Sequence, residues 1–286
     1  MDDKTKGWLD GLLGVAIFSG SLPATRVAVA DFDPVFLTAA RAVIAGGLAV
    51  LLLNLLRAPR PARGDLGALA IVALGVVAGF PLLTAIALQE ITAAHSIVFV
   101  GLLPMSTAIF AVRRAGERPS LSFWIFAGVG AALVAAFALT RGAEGSLKGD
   151  LLMIAAVLVC GLAYAEGGRL SRTLGGWQVI CWALVIALPF MGLLGLATWP
   201  RDLAQTRAAA WTGLAYVSLF SMLIGFIFWY RGLALGGVAA VGQLQLLQPL
   251  MGLGLASWLL GEPVGWSMAA VTAGVVLCVA GAKRFA

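Results

Sequence analysis

Residues 92–114 read TAAHSIVFVGLLPMSTAIFAVRR, and residues 237–260 read GVAAVGQLQLLQPLMGLGLASWLL. Each run is apolar and long enough for one helix to cross about 30 Å of hydrocarbon. Each carries a mid-run proline, Pro104 and Pro249, 145 residues apart. At the same offset, Gly116-Glu117 falls on Gly261-Glu262 where each run closes. Leu88/Leu233, Ala94/Ala239, Leu102/Leu247, Ala111/Ala256 and Ser122/Ser267 coincide as well. Alanine and leucine matches carry little weight in so apolar a chain, so the ungapped Pro and Gly-Glu anchors decide the reading. They mark an internal repeat.

Working outward, ten apolar runs fill the 286 residues, near 8–30, 34–56, 66–88, 92–114, 120–140, 149–170, 177–198, 210–231, 237–260 and 265–282. Turn chemistry or charge separates them, as at Asp31-Phe32-Asp33-Pro34, Gly175-Gly176 and Glu262-Pro263. A mean hydropathy of +1.00, with 61% hydrophobic and 11% charged residues, excludes a soluble domain of this length. The expected fold class is an all-α polytopic membrane protein: ten transmembrane helices in two five-helix repeats, residues 1–145 and 146–286. Five is odd, so the second repeat enters the membrane from the opposite side. Inverted repeats of this kind are the architecture of alternating access, with substrate held between the halves.

The charges set an expected direction. With the N-terminus in the cytoplasm, 13 of the 19 basic residues fall on the inner side, 4 on the outer side and 2 within spans. The positive-inside rule then makes both termini cytoplasmic. The formal charge of +6 does not point to nucleic acid, because the basic residues sit at span ends with no interleaved aromatics. Lipid headgroups are the expected partners of these charges. Cys160, Cys181 and Cys278 lie inside apolar runs and read as packing residues. A single histidine, His95, excludes a histidine-cluster metal site, and no catalytic set or cofactor motif is visible. The first apolar run is too long for a cleavable signal peptide and is expected to be retained. One chain holds both halves, so a monomer should suffice.

Several residues are candidates for chemistry inside the membrane. His95 lies about one turn into span four and has no Asp near it in sequence. Gln243, Gln245 and Gln248 crowd the start of span nine, with Gln245 and Gln248 on one face by i, i+3 spacing. Gly20 and Pro23 interrupt span one beside Ser19, Ser21 and Thr25, exposing backbone groups. Such amides, hydroxyls and free carbonyls suit a zwitterion, which needs donors and acceptors but no net countercharge. Phe99 and Tyr164 are expected to bound a side-chain pocket. Trp182 lies near mid-span, and Trp229 and Tyr230 read as interface anchors. Arg26 is placed to snorkel outward. Arg41 lies deep enough to need a partner, with Asp31, Asp33 or Glu90 on the correct side. Glu166 is expected to pair with Arg169.

The Leu-Leu-Pro at 102–104, the Leu-Gln-Pro at 247–249 and the two Gly-Glu pairs resemble the drug/metabolite transporter superfamily, specifically ten-span exporters with two EamA-type repeats. The family's second-half pattern commonly has Glu-Pro where this chain has Gln248-Pro249. Across its whole length the chain looks most similar to YddG-like amino-acid exporters. That resemblance implies a secondary transporter in the bacterial cytoplasmic membrane, exporting neutral and aromatic amino acids, threonine and methionine among them. The residues themselves set the expected site, His95, Phe99, Tyr164, Gln245, Gln248, Ser19 and Ser21 at the repeat interface. The alternative is a proton-coupled exporter of drugs or other metabolites. A cation exporter would call for a carboxylate deep in a span, and the middle of span one has none.

Overall fold

A computed structural model describes residues 2–115, 120–140, 146–236 and 241–284. Gly116 and Glu117, half of one repeat anchor, lie outside the described residues. All regular structure among the described residues is helical. Seven helices are long and apolar enough to cross a membrane, and three shorter apolar ones lie at 124–133, 244–260 and 266–278. The molecule is an all-α polytopic membrane protein of ten helical spans in two inverted five-helix repeats.

Local chemistry sets the span ends. The Asp2 carboxylate caps Thr5 N–H at 3.1 Å, so the first helix starts upstream of residue 8, the start expected from hydropathy. Asp33 caps Val35 and Phe36, and Pro34 takes a first-turn position where no N–H is needed. Thr92 and Ser146 cap spans four and six. Gly261 closes the helix of span nine in the left-handed conformation, φ 64°, which a residue with a Cβ adopts only at a cost.

Five spans are irregular. Span one breaks at Gly20 into Asp3–Ser19 and Ser21–Ala28. Span four breaks after Ala93–Val100 and resumes at Leu103–Ala115. Span nine passes from a 3₁₀ turn, Gly242–Leu246, into Leu247–Leu260. Span three carries a π-helical stretch at Ala73–Gly79, and span eight carries another at Tyr216–Ile224. Four of the five irregularities follow the repeat: spans three and eight share the π-helix, and spans four and nine share the restart. The break in span one has no counterpart in span six, a continuous helix Leu147–Leu174. Pro104 and Pro249 fall in the first turn of the restarted helices. There they displace no intrahelical hydrogen bond.

Helix pairing has the same symmetry. Span two packs on span seven, span five on span ten, and span four on span nine. Span one packs on span eight as span six packs on span three. Exchanging the halves maps this set of pairs onto itself. Small residues allow the close approaches. A Cβ on Gly75 would stand 2.2 Å from Ala163 Cβ, and one on Gly232 would stand 2.7 Å from Gly11 N.

The surface is inverted relative to a soluble protein. Leu51, Phe190, Leu196, Trp258, Trp266 and Leu277 point outward, whereas Thr38, Arg41, Thr84, Ser106, Ser218 and Gln248 are buried. Thr38, Thr84 and Ser218 satisfy their hydroxyls on their own helix, donating to Pro34, Phe80 and Leu214 carbonyls. Trp229 and Tyr230 are not interface anchors. They are 2% and 0% exposed, with Trp229 against Phe18 and Tyr164, and Tyr230 against Phe226. Gly167 leaves room for the Tyr230 ring, whose hydroxyl would lie 2.2 Å from a Cβ there.

Candidate functional site

The five irregular spans meet around a central cavity. Span one supplies Phe18, Ser21, Leu22 and Thr25, and span two supplies Arg41. Span three adds Val76, Phe80, Pro81 and Thr84, and span four adds Leu103. The second half contributes Cys160 and Tyr164 from span six, Ser221 and Phe226 from span eight, and Gln248 from span nine. Both repeats therefore build the wall. Non-helical backbone at membrane depth is tolerated where it lines such a cavity. The volume is about 30 Å³. That suits two or three waters rather than an amino acid.

Polar groups on these spans bond to one another within and beside this space. The Tyr216 hydroxyl, at the start of the span-eight π-helix, donates to the Ile17 carbonyl at 2.7 Å, one turn before the break in span one. The Ser21 and Ser221 hydroxyls meet at 2.7 Å across the interface between the halves. Thr25 donates to the Ser21 carbonyl at 2.7 Å. The Arg41 guanidinium donates from Nη2 to Ser221 Oγ at 3.3 Å, and its Nε has no hydrogen-bond partner.

Arg41 lacks the carboxylate expected of it. Asp31 is engaged by Arg207 at 2.6 Å, Asp33 by its own helix cap, and Glu90 by Lys148 at 2.7 Å. All three acids find closer partners at the span ends, leaving the guanidinium inside. Arg26 donates to the Leu88 carbonyl, and Glu166 pairs with Arg169 at 3.1 Å.

The sequence-derived site divides into two places. Ser21, Tyr164 and Gln248 lie together on the cavity wall. His95 lies apart, with Nε2 2.7 Å from the buried Asp150 carboxylate. The Asp absent from its sequence neighbourhood thus comes from span six. Phe99 and Phe137 pack on the imidazole, with ring centroids 5.7 and 4.9 Å away. Ser19 turns back to the Val15 carbonyl at 2.8 Å. Gln245 is buried in the 3₁₀ turn, outside the cavity lining, with its Nε2 unpartnered. Gln243 and Pro104 are described here by backbone only. Sequence reasoning placed Thr25 beside the break in span one, missed Thr84 and Ser221, which carry no mark among many similar residues, and gave Arg41 a structural role.

The two halves are tied by polar links on the face opposite the termini. Asp31 meets Arg207, Glu90 meets Lys148, His95 meets Asp150, and Glu262 caps span four at Ala93 and Ala94. On the terminal face, Asp10 approaches Arg231 at 3.4 Å. Among the described residues, no group of three or more His, Cys, Asp or Glu side chains is arranged to hold a metal ion.

The EamA-like transporter family model matches residues 5–140 and again 147–282. The chain belongs to the EamA-like transporter family. It is similar to the "uncharacterized transporter YdeK" of Bacillus subtilis, 60% identical over the full length of both chains. A "probable terminal-alkyne amino-acid exporter" of Streptantibioticus cattleyicolor is 23% identical, covering 88% of this chain and 84% of that one. One crystal structure superposes with a TM-score of 0.69, covering 98% of this chain and 99% of its own, at 19% identity, and so supports the fold. This EamA-like chain is a multi-span membrane transporter of a bacterial family and not an enzyme.

Proposed function

We propose that this EamA-like transporter exports neutral amino acids, aromatic ones, threonine and methionine among them, with related small metabolites, across the bacterial cytoplasmic membrane. Its two units, residues 1–145 and 146–286, alternate access to a site between them, and one chain suffices. The observation that carries this reading is the cavity itself. It is shared by both halves, is lined by hydroxyls, an amide and aromatic rings, and holds no carboxylate among its described lining residues. The resemblance to YddG-like exporters and the printed name of the Streptantibioticus relative point to the same substrate class. A proton-coupled exporter of cationic drugs would need an acidic group there, and the charged residue in place is Arg41.

The basic residues orient the chain with both termini in the cytoplasm. The face bearing the four inter-half links is then the outer one. Efflux from proteoliposomes loaded with a panel of amino acids tests the function. Transport of organic cations with no amino-acid flux would end this reading. A cysteine at Ser146, labelled by an impermeant reagent in intact cells, tests the orientation.

A further inference from the structure

We infer that Arg41 is the residue that recognises the substrate's carboxylate, which makes an anionic carboxyl group a requirement of this transporter. The inference rests on the cavity being the transport site. Arg41 is 6% exposed at membrane depth and lines the cavity. A charge so placed is usually paired or functional. The three acids expected to pair with it are committed elsewhere, to Arg207, Lys148 and a helix cap. Of its five donors, one meets the neutral Ser221 hydroxyl at 3.3 Å, and Nε is buried without a partner. A guanidinium presents a planar fork that fits a carboxylate through two parallel bonds. A bound carboxylate would supply the missing countercharge.

The same cavity also offers a group for the other end of a zwitterion. Gln248 Oε1 is buried, borders the same cavity and has no hydrogen-bond partner. It is an acceptor suited to an ammonium. An unpaired cationic donor and an unpaired neutral acceptor thus face one space, which favours an α-amino acid over its decarboxylated amine or its amide. The Ser21–Ser221 contact beside Arg41 joins the two halves. Carboxylate bound at Arg41 therefore sits where the halves meet, and its binding is sensed by both.

The test compares acids with their amides. Wild-type full-length protein in proteoliposomes is assayed for efflux of labelled methionine and phenylalanine, with the free acids and the corresponding amides as competitors. Inhibition should be at least tenfold stronger for the acids. Arg41→Gln should lose at least tenfold in acid transport and abolish the acid–amide difference. Arg41→Lys should keep a reduced preference for acids. Equal inhibition by acid and amide in wild type, or an unchanged preference in Arg41→Gln, overturns the inference. If Arg41→Gln does not yield folded protein, the wild-type comparison and Arg41→Lys decide. If wild type moves no amino acid, thermal unfolding with short mono- and dicarboxylates and their amides separates the two readings. Stabilisation by the acids alone, weakened in Arg41→Lys, keeps the carboxylate site and removes the amino-acid reading. No preference for acids across that panel removes the site.

Discussion

Glu262, at the end of span nine, accepts hydrogen bonds from the Ala93 and Ala94 N–H groups of span four, at 3.2 and 2.8 Å. One half thus supplies the carboxylate cap for a helix of the other. The N-terminus of span four carries unpaired N–H groups and a partial positive charge, and the carboxylate answers both. Gly261 in the left-handed conformation turns the chain so that Glu262 reaches across.

Glu262→Ala should therefore loosen the face opposite the termini. Loss of a helix cap costs about 0.5–2 kcal/mol. Cys160, on the cavity wall and 1% exposed, is a ready probe once Cys181 and Cys278 are replaced. Its labelling by an impermeant thiol reagent from that face should quicken in Glu262→Ala. An unchanged labelling rate would show that the cap does not hold this face closed.

Gly20 and Tyr216 form a second coupled pair. Gly20 has an ordinary helical φ of −82°, so it is retained for space and not for conformation. A Cβ there would stand 2.4 Å from the Tyr216 hydroxyl and 2.8 Å from its ring carbon. Gly20→Ala should push the ring away and break its bond to the Ile17 carbonyl, at a cost of about 1–3 kcal/mol. In a Tyr216→Ala background the same substitution should cost much less. Additive effects in a double-mutant cycle of thermal stability would refute the coupling.

The bundle was legible in the sequence because prolines and glycines punctuate it. Pro104 and Pro249 are visible as residues and open restarted helices that the repeat preserves, and Gly261 closes span nine through its own backbone geometry. The π-helix of span eight was not legible, since Tyr216–Ile224 contains neither proline nor glycine and reads as an ordinary apolar helix. The site was legible in part. Gln248 and Tyr164 stood out as polar or aromatic groups at membrane depth. His95 stood out equally, but its partner Asp150 is 55 residues away and only packing brings them together. Arg41 was visible as a charge in need of a partner. Its actual surroundings depend on three acids each finding another partner, which is a tertiary outcome.

That division predicts different phenotypes for two residues nominated together. Gln248→Ala removes a polar group from the cavity wall and should weaken apparent substrate affinity by about 1–2 kcal/mol, roughly 5–30-fold. His95→Ala leaves the Asp150 carboxylate buried without its partner and should lower stability by about 3–5 kcal/mol if the pair is ionic. Asp150→Asn should be harmful alone and less so on top of His95→Ala. Thermal unfolding and KM for the same set of variants decide. A large KM change with unaltered stability in His95→Ala would place the imidazole in the substrate site.

The Asp31–Arg207 link should give the same face an acid limit. The Arg207 guanidinium, through its side-chain hydrogen bonds to Asp31, and the Arg207 backbone N–H hold the Asp31 carboxyl below its ordinary value, and the guanidinium is itself pushed up. A carboxyl lowered in the folded state contributes its stability in full above its unfolded pKa, about 4. That contribution is lost as pH falls through the lower folded value. The link is therefore complete at neutral pH and fails only in acid. Thermal stability of wild type and Asp31→Asn, measured from neutral to acid pH, should differ by a constant amount down to about pH 5 and converge below pH 4. Salt should narrow the gap at neutral pH, because the contact is exposed and screened. Convergence already near pH 7, or a gap that widens in acid, would show that this ion pair does not hold the loop after span one to the start of span eight.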